Sequence, residues 1–435
     1  MYGRSVTRRE FIRLIGAGSA ALALGNAIPN WAADRKPNII VVLADDLGYA
    51  DLGCQGAKDI STRNIDSIAA NGARFTSGYV SAPMCSPSRA GLMTGRYQQR
   101  FGHEFNPGPT GQDENFGLPV SQATLASRLQ AAGYATGAIG KWHLGKTPDR
   151  EPRSRGFAEY FQNSEPAPDP KPAGWSEEEQ ETKSYGRAAV DFVDRHKNEQ
   201  FFLYIAFSAP HAPLWADPKR VERFAHIKDQ TRRMFAAVMS EMDDAVGGVL
   251  EALRRNELEQ DTLIFFLSDN GAPDKANGSL NTPFRGYKME LYEGGIRIPF
   301  LMQWKDKVAA GKVYDKPVVS LDIAATALAA AGVSCEPGCL DGVNLVSFPQ
   351  GRSGTPHKTL YWRTGDRRAI RSGKWKLIRL DEQEPQLYNL ASDPGEKCNL
   401  AAEMPAKTKE LDALFAKWNS QLAKPRWQER VGGGE

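Results

Sequence analysis

The sequence predicts an α/β fold, a large mixed and mostly parallel sheet sandwiched by helices, with a smaller C-terminal α+β domain containing an antiparallel sheet. Two observations carry the first half. Four short apolar runs, "NIIVVLA" (38–44), "YATGAIG" (134–140), "FFLYIAFS" (201–208) and "TLIFFLS" (262–268), are rich in β-branched and aromatic residues and bounded by turn formers, as buried strands are. Helix-like stretches separate them, among them 121–132 with Ser121 as its cap and 229–255 ending in basic residues. Strand–helix alternation is the pattern of a parallel sheet covered on both faces. A change of texture near residue 340 carries the second half. "RAIRSGKWKLIRL" (368–380) and "PQLYNL" (385–390) read as antiparallel strands with one solvated face, a helical segment spans 405–422, and the "VGGGE" tail reads as disordered.

Taken in chain order, residues 1–33 come first. "TRREFIR" (7–13) precedes an apolar run from Leu14 to Leu24 that is too short to span a bilayer. This is the layout of a twin-arginine export signal with Arg8 and Arg9 as the paired basics, which implies a translocase partner and a periplasmic or secreted destination. The remainder divides into an α/β domain over 34–340 and an α+β subdomain over 341–435. Within the first, the Pro- and Glu-rich segment 163–183 reads as an exposed excursion. No run suggests an integral membrane protein.

The formal charge of +3 resides wholly in 1–33, which hold four arginines and one glutamate, leaving 51 basic and 51 acidic residues beyond them. A global field for nucleic acid or membrane is therefore unsupported, and any anion binding must be local. Five cysteines make an odd count for an exported chain. If Cys85 is special, Cys54, Cys335, Cys339 and Cys398 admit three pairings, of which Cys335–Cys339 spans only "EPG".

Ligands in open α/β sheets collect beyond the carboxyl ends of the strands. Each of the four strands empties into a polar cluster: Asp45-Asp46, Lys141-Trp142-His143, Pro210-His211 and Asp269-Asn270. One such cluster would be an ordinary turn or cap. Four of them on parallel strands converge on one edge. Three carboxylates and an amide oxygen, without a thiolate or imidazole pair at ligand spacing, suit a hard divalent cation, Ca²⁺ or Mg²⁺ ahead of Zn²⁺. In an extended segment Lys141 and His143 share a face, placing a fixed positive charge beside a proton-transfer group. His103, His196, His226 and His357 read as structural by default.

"CSPSRAGLMTG" places Cys85 at the N-cap of a short helix, with Pro87 in the first turn and Gly95 at the stop. Helix amides there favour an anion or a depressed thiol pKa. The polar company of Ser86, Ser88 and Arg89 argues against Cys85 as buried filler. A thiolate protease using His211 would not explain the oxygen-rich metal cluster.

With these residues in place, the chain resembles the type I sulfatases of the alkaline phosphatase superfamily over nearly all of 37–400. "CSPSRAGLMTGR" is similar to their C-x-P-S-R-x-x-L-x-T-G motif, whose cysteine is oxidised to formylglycine. "PNIIVVLADDLGYADLGCQG", "GKWHLG", "APHAP", "SDNGA" and "KMELYEGGIRIPF" resemble the other blocks in the same order, and "QLYNLASDPGEKCNLA" (386–401) resembles the C-terminal domain. The resemblance implies an alkaline phosphatase-like fold and a sulfuric ester hydrolase. It further implies that Asp45, Asp46, Asp269 and Asn270 hold Ca²⁺ and that Cys85 is the formylglycine precursor, made by a maturation enzyme. Arg89 braces the hydrated aldehyde, and Lys141, His143, His211 and Lys288 surround the sulfate. The expected substrate is a sulfated sugar, such as a glycosaminoglycan or algal galactan fragment. Arg100 and His103 are expected contacts to the sugar, with Trp175, Trp215 and Arg285 weaker ones. Two other readings remain. A phosphate or phosphonate monoester hydrolase could share the scaffold, but a phosphate dianion favours a second metal or more cations. A binding protein that had lost catalysis would not need the intact polar set.

Overall fold

Alternate residues of the strand Asn38–Ala44 enter two different cores: Ile39, Val41 and Leu43 lie in one, Ile40, Val42 and Ala44 in the other. A strand buried on both faces needs layers above and below it, and the two-residue side-chain period sorts the side chains between them. The structure, a computed structural model, describes residues 36–108, 116–162, 181–305 and 307–428. The export-signal reading of 1–33, Trp175, most of the 163–183 excursion and the "VGGGE" tail lie outside the described residues.

In chain order the first strands are β1 (Asn38–Ala44), β2 (Ala73–Phe75), β3 (Gly78–Tyr79), β4 (Ala135–Gly140) and β5 (Glu159–Phe161). They continue as β6 (Phe201–Ala206), β7 (Thr262–Ser268), β8 (Phe300–Gln303), β9 (Lys312–Tyr314) and β10 (Val318–Val319). Eight of these form one sheet in the order β5-β4-β6-β1-β7-β8-β2-β9. The first five in that order are mutually parallel, β8 runs antiparallel to both β7 and β2, and β9 is parallel to β2. The sheet is thus mixed and mostly parallel. The helices Arg63–Ala70, Glu181–Arg195 and Gln230–Arg255 cover one face. Cys85–Thr94, Leu125–Ala131, Leu321–Ala330 and the C-terminal elements cover the other. Among the described residues, no helix is long and apolar enough to cross a membrane.

The helix expected from Ser121 begins later. It spans Leu125–Ala131, because Thr124 and Ser127 bond reciprocally, each side chain accepting the other's backbone N–H at 3.0 Å. The 229–255 helix is capped by Asp229, whose carboxylate accepts from the Arg232 N–H at 2.7 Å. Cys335 and Cys339 are bridged, while Cys54, Cys85 and Cys398 are free thiols.

The C-terminal strands β11 (Thr359–Thr364), β12 (Arg367–Ser372), β13 (Trp375–Arg379) and β14 (Gln386–Asn389) form an antiparallel sheet in sequence order, backed by the helix Pro405–Asn419. Its apolar face joins the core of the main sheet, where buried Trp362 donates to the Val80 carbonyl at 2.7 Å. A buried ionic knot ties the two sheets together. Lys376 Nζ lies 2.9 Å from Glu293 Oε1 and 2.8 Å from Glu396 Oε1, with all three side chains fully buried. Burial raises Glu293, but Lys376 and Arg297 outweigh it and hold its carboxyl down at about 2. Burial dominates at Glu396 and pushes it up to about 7. Removing the lysine would leave buried Glu396 without its cation and Glu293 with Arg297 alone at 3.2 Å, a loss of about 3–5 kcal/mol. Lys376→Met should therefore lower unfolding stability by that amount in a denaturant titration. A loss below about 1 kcal/mol would show that the knot is not holding the sheets together.

Candidate active site

Strands β4, β6, β1 and β7 are adjacent and parallel, so their carboxyl ends release the four polar clusters side by side. Backbone bonds lock the exits to one another. Asp269 N–H donates to the Ala44 carbonyl at 3.0 Å, Asp46 N–H to Asp269 Oδ1 at 3.2 Å, and Leu47 N–H to Ser268 Oγ at 2.9 Å. Asp45, Asp46, Asp269 and Asn270 are all buried.

The Cys85 helix approaches this edge from the side. Met84, with extended φ and ψ, is its N-cap, so Cys85 is the first helical residue and not the cap itself. Gly95 ends it in a left-handed conformation, φ 66°, as the sequence predicts. All ten helical residues are buried, Cys85 among them. Polar neighbours did not mean exposure here, because they find partners inside. Cys85 Sγ lies 3.4 Å from Asp45 Oδ1 and 4.0 Å from Asp46 Oδ1. Burial, then the charges of Asp269 and Asp45, push its thiol well above its ordinary pKa, so the unmodified side chain is a protonated thiol and a poor nucleophile.

Positive charge surrounds the carboxylates. Buried Arg89 donates through Nε and Nη2 to Asp269 Oδ2 at 2.9 and 2.7 Å, and Nη2 lies 3.2 Å from Asp45 Oδ2. Its remaining arm donates to the Lys141 carbonyl at 2.7 Å. Lys141 Nζ sits 2.5 Å from Asp45 Oδ2, and Lys288 Nζ 3.2 Å from Asp46 Oδ2. His211 Nδ1 lies 2.5 Å from the Ala212 carbonyl, which can only accept, so this nitrogen carries a proton. Its Nε2 faces Lys288 Nζ at 3.3 Å and Asp46 Oδ2 at 3.6 Å. The charge is shared unevenly. Burial raises Asp45, yet Lys141 and Arg89 overcome it and hold that carboxyl far below the usual range. Asp46 is raised by burial and by Asp45, and Asp269 is pushed up to about 6 by the same two causes.

A family model described as Sulfatase matches residues 37–333, most of the described chain. The chain belongs to the sulfatase family. It is a sulfuric ester hydrolase. A second family model, for the C-terminal part of N-sulphoglucosamine sulphohydrolase, matches residues 286–426. The chain is 32% identical to N-acetylgalactosamine-6-sulfatase of Sus scrofa, covering 88% of this chain and 84% of the relative. It is also 32% identical to arylsulfatase A of Homo sapiens, with 95% and 92% covered. Among solved structures, that of Ps i-CgsB in complex with k-i-k-neocarrahexaose superposes with a TM-score of 0.84 at 36% identity, covering 91% of this chain and 96% of that one.

This sulfatase places several expected site residues differently from the sequence reading. The extended alternation of Lys141 and His143 breaks at His143, whose φ is 60°. Its carbonyl accepts from Ser86 Oγ at 2.6 Å. His103 is fully buried beneath the Cys85 helix, with Nε2 2.7 Å from Ser86 Oγ and its ring edge-to-face with Trp427 at 4.8 Å. Burial, reinforced by His143, lowers its pKa to about 3, so His103 is a neutral brace and not a sugar contact. Arg100 turns away to a bidentate pair with Asp341 at 2.7 and 2.6 Å. Arg285 is bound to Tyr388, the Glu396 carbonyl and Tyr292. Two bridging roles escaped the sequence reading. Ser86 links the Cys85 helix to His103 and the 143 carbonyl, and buried Asn277 donates to the carbonyls of Asp46 and Pro210 at 3.1 and 2.9 Å. A serine or asparagine in a polar stretch gives no signal of such a bridging role.

The donor set fits a divalent cation. Ligand atoms of Asp45, Asp46, Cys85 and Asp269 all lie within 4.8 Å of one another. Asn270 Nδ2 donates to Asp46 Oδ1 at 2.6 Å, while its Oδ1 is buried without a hydrogen-bond partner, an acceptor in want of a positive charge. Ca²⁺ or Mg²⁺ added to metal-stripped protein should raise its melting temperature. The gain corresponds to about 2.7 kcal/mol when free ion exceeds Kd a hundredfold. Asn270→Ala should shrink that gain, and a melting temperature indifferent to both ions would rule the site out.

Proposed function

We propose that this sulfatase removes sulfate from a sulfated carbohydrate, a glycosaminoglycan or algal galactan fragment. It would use a formylglycine made from Cys85 and one Ca²⁺ held by Asp45, Asp46, Asp269 and Asn270. The observation that carries the reading is the position of residue 85, within 4 Å of two of the three carboxylates and inside their ring of cations. The names of the relatives favour carbohydrate, since one acts on N-acetylgalactosamine 6-sulfate by name and one solved structure holds a carrahexaose.

Once oxidised and hydrated, residue 85 would offer two hydroxyls on one carbon, the first to attack sulfur and the second to expel sulfate and restore the aldehyde, and a cation held by Asp45, Asp46, Asp269 and Asn270 would supply charge withdrawal from the sulfate oxygens. The remaining work falls to side chains. Arg89, bridging Asp45 and Asp269, fixes the floor of the site and braces residue 85. Lys141 and Lys288 offset the charge that grows on the sulfuryl oxygens as the ester bond breaks. His211, anchored through Nδ1, presents Nε2 to protonate the departing sugar alkoxide. His143 would be the base that draws the proton in the second step. Export by the twin-arginine route to the periplasm, after modification by a formylglycine-generating enzyme, follows from the Arg8-Arg9 segment and the Cys85 motif. Residues 34–340 carry the chemistry, and 341–435 form the subdomain that supports it.

Sulfate release from a panel of defined sulfated oligosaccharides tests the reading. Cys85→Ala should abolish release while leaving circular dichroism and melting unchanged, and the wild-type peptide should carry a hydrazide-reactive aldehyde at residue 85. Substantial residual turnover in that variant would remove residue 85 as nucleophile. His211→Ala should slow sugar desulfation by about 10²–10⁴-fold while sparing an aryl sulfate whose phenolate leaves unaided. Equal losses on both substrates would take the proton-donor role from His211.

A further inference from the structure

Among the described residues, six large apolar side chains stand exposed: Val120, Trp215, Leu280, Tyr287, Met289 and Val313. Single exposed apolar groups need no explanation. Their placement does, because four of the six lie in segments that carry His211 or Lys288 or are bonded to the loop after Asp46. Trp215, 60% exposed, lies four residues beyond His211. Tyr287 and Met289, 40% and 44% exposed, flank Lys288 on either side. Leu280 is tied to the Asp46 loop, its carbonyl accepting from Ala50 N–H at 3.0 Å.

These segments are fastened to one another at the reacting end. Lys288 Nζ reaches His211 Nε2 at 3.3 Å, and Asn277 holds the carbonyls of Asp46 and Pro210. Met289 N–H donates to the Pro83 carbonyl at 2.8 Å, two residues before Cys85. Met289 holds a φ of 73°, which side-chained residues avoid. The local backbone is thus fixed in a strained form that leaves an apolar side chain in water, next to a lysine of the site. Such a rim suits an occupant with an apolar face and a polar circumference. A pyranose ring is one: its axial C–H bonds carry slight positive charge and stack on the electron-rich face of an aromatic ring. Charge beside it is mixed, with Lys288 next to Tyr287 in the chain and the Glu290 carboxylate accepting from the Tyr287 N–H at 3.3 Å.

We propose that Trp215 and Tyr287 determine specificity by stacking against the sugar that leaves sulfate behind and its neighbour in the chain. This rests on the carbohydrate reading above, in which His211 faces the leaving oxygen and the residues flanking the His211–Lys288 pair meet the leaving group. Trp215 and Tyr287 are not among the residues that offer ligand atoms to the cation site, so on this reading they set which saccharide is held and leave the chemistry to others.

The test compares kcat/KM on a sulfated oligosaccharide that the wild type desulfates with that on a small aryl sulfate. Trp215→Ala and Tyr287→Ala should each lose about tenfold on the oligosaccharide, chiefly through KM, and stay within about twofold on the aryl ester. Trp215→Phe and Tyr287→Phe should recover most of the loss, since the stacking face remains. Unchanged oligosaccharide kinetics in both alanine variants would overturn the inference while leaving the carbohydrate reading intact. Equal losses on both substrates would also overturn it, by showing a general disturbance of the site. A wild type that releases sulfate from aryl esters and from no saccharide would defeat the carbohydrate reading, and this inference with it.

Discussion

Asp45, Asp46 and Asp269 are withdrawn from water with ligand atoms within 4.8 Å of one another and of Cys85. Like charges that close repel strongly at low effective dielectric, and only nearby positive charge can offset them. Arg89 is the fixed part of that answer, reaching two of the three carboxylates from a helix with no exposed residue. Lys141 and Lys288 supply the rest from separate segments. The balance is uneven, with Asp45 held ionised while Asp46 and Asp269 are pushed toward protonation. A site in that condition is prepared for a divalent cation, which would bring the remaining carboxylates into their charged form.

The fold meets this demand in two ways. Parallel strands in the order β4-β6-β1-β7 bring four carboxyl ends to one edge regardless of how far apart they lie in sequence. Lys288 has no strand of its own beside the carboxylates and depends on a long return segment. Glycines weld that segment to the β7 exit: Gly271 N–H donates to the Gly295 carbonyl at 3.0 Å, and a Cβ on Gly271 would fall 1.7 Å from the Gly294 carbonyl oxygen. From the other side, Lys376 and Glu396 of the C-terminal part grip Glu293. The second sheet thereby braces a loop of the first, which is a reason for the two to share one core.

Much of this was legible in the sequence. β1 and β7 run over the same residues as the apolar runs that predicted them, because a strand buried on both faces must be apolar throughout. The strand-exit clusters were legible for the same reason: polar residues directly after such a run have a fixed place on the sheet edge. Legibility failed where a side chain's partner lay far away in sequence. His103 and Arg100 follow the Cys85 helix closely, yet Trp427, which covers the His103 ring, and Asp341, which pairs with Arg100, are hundreds of residues downstream. The paired direction of Lys141 and His143 failed locally, since a left-handed residue cancels strand alternation. Ser121 lost the helix start to Thr124, which had a reciprocal partner three residues on.

The burial of the Cys85 helix has a consequence for biosynthesis. Its thiol lies among carboxylates, with none of its surface open to solvent. An enzyme that alters this sulfur has to grasp the peptide around it, and the finished molecule offers no such handle. On the formylglycine reading proposed above, the alteration would therefore belong to the ribosome-bound or newly released chain. Whatever delays collapse of the Leu92–Met93 stretch into its neighbours would lengthen the interval in which the nascent polypeptide could be converted.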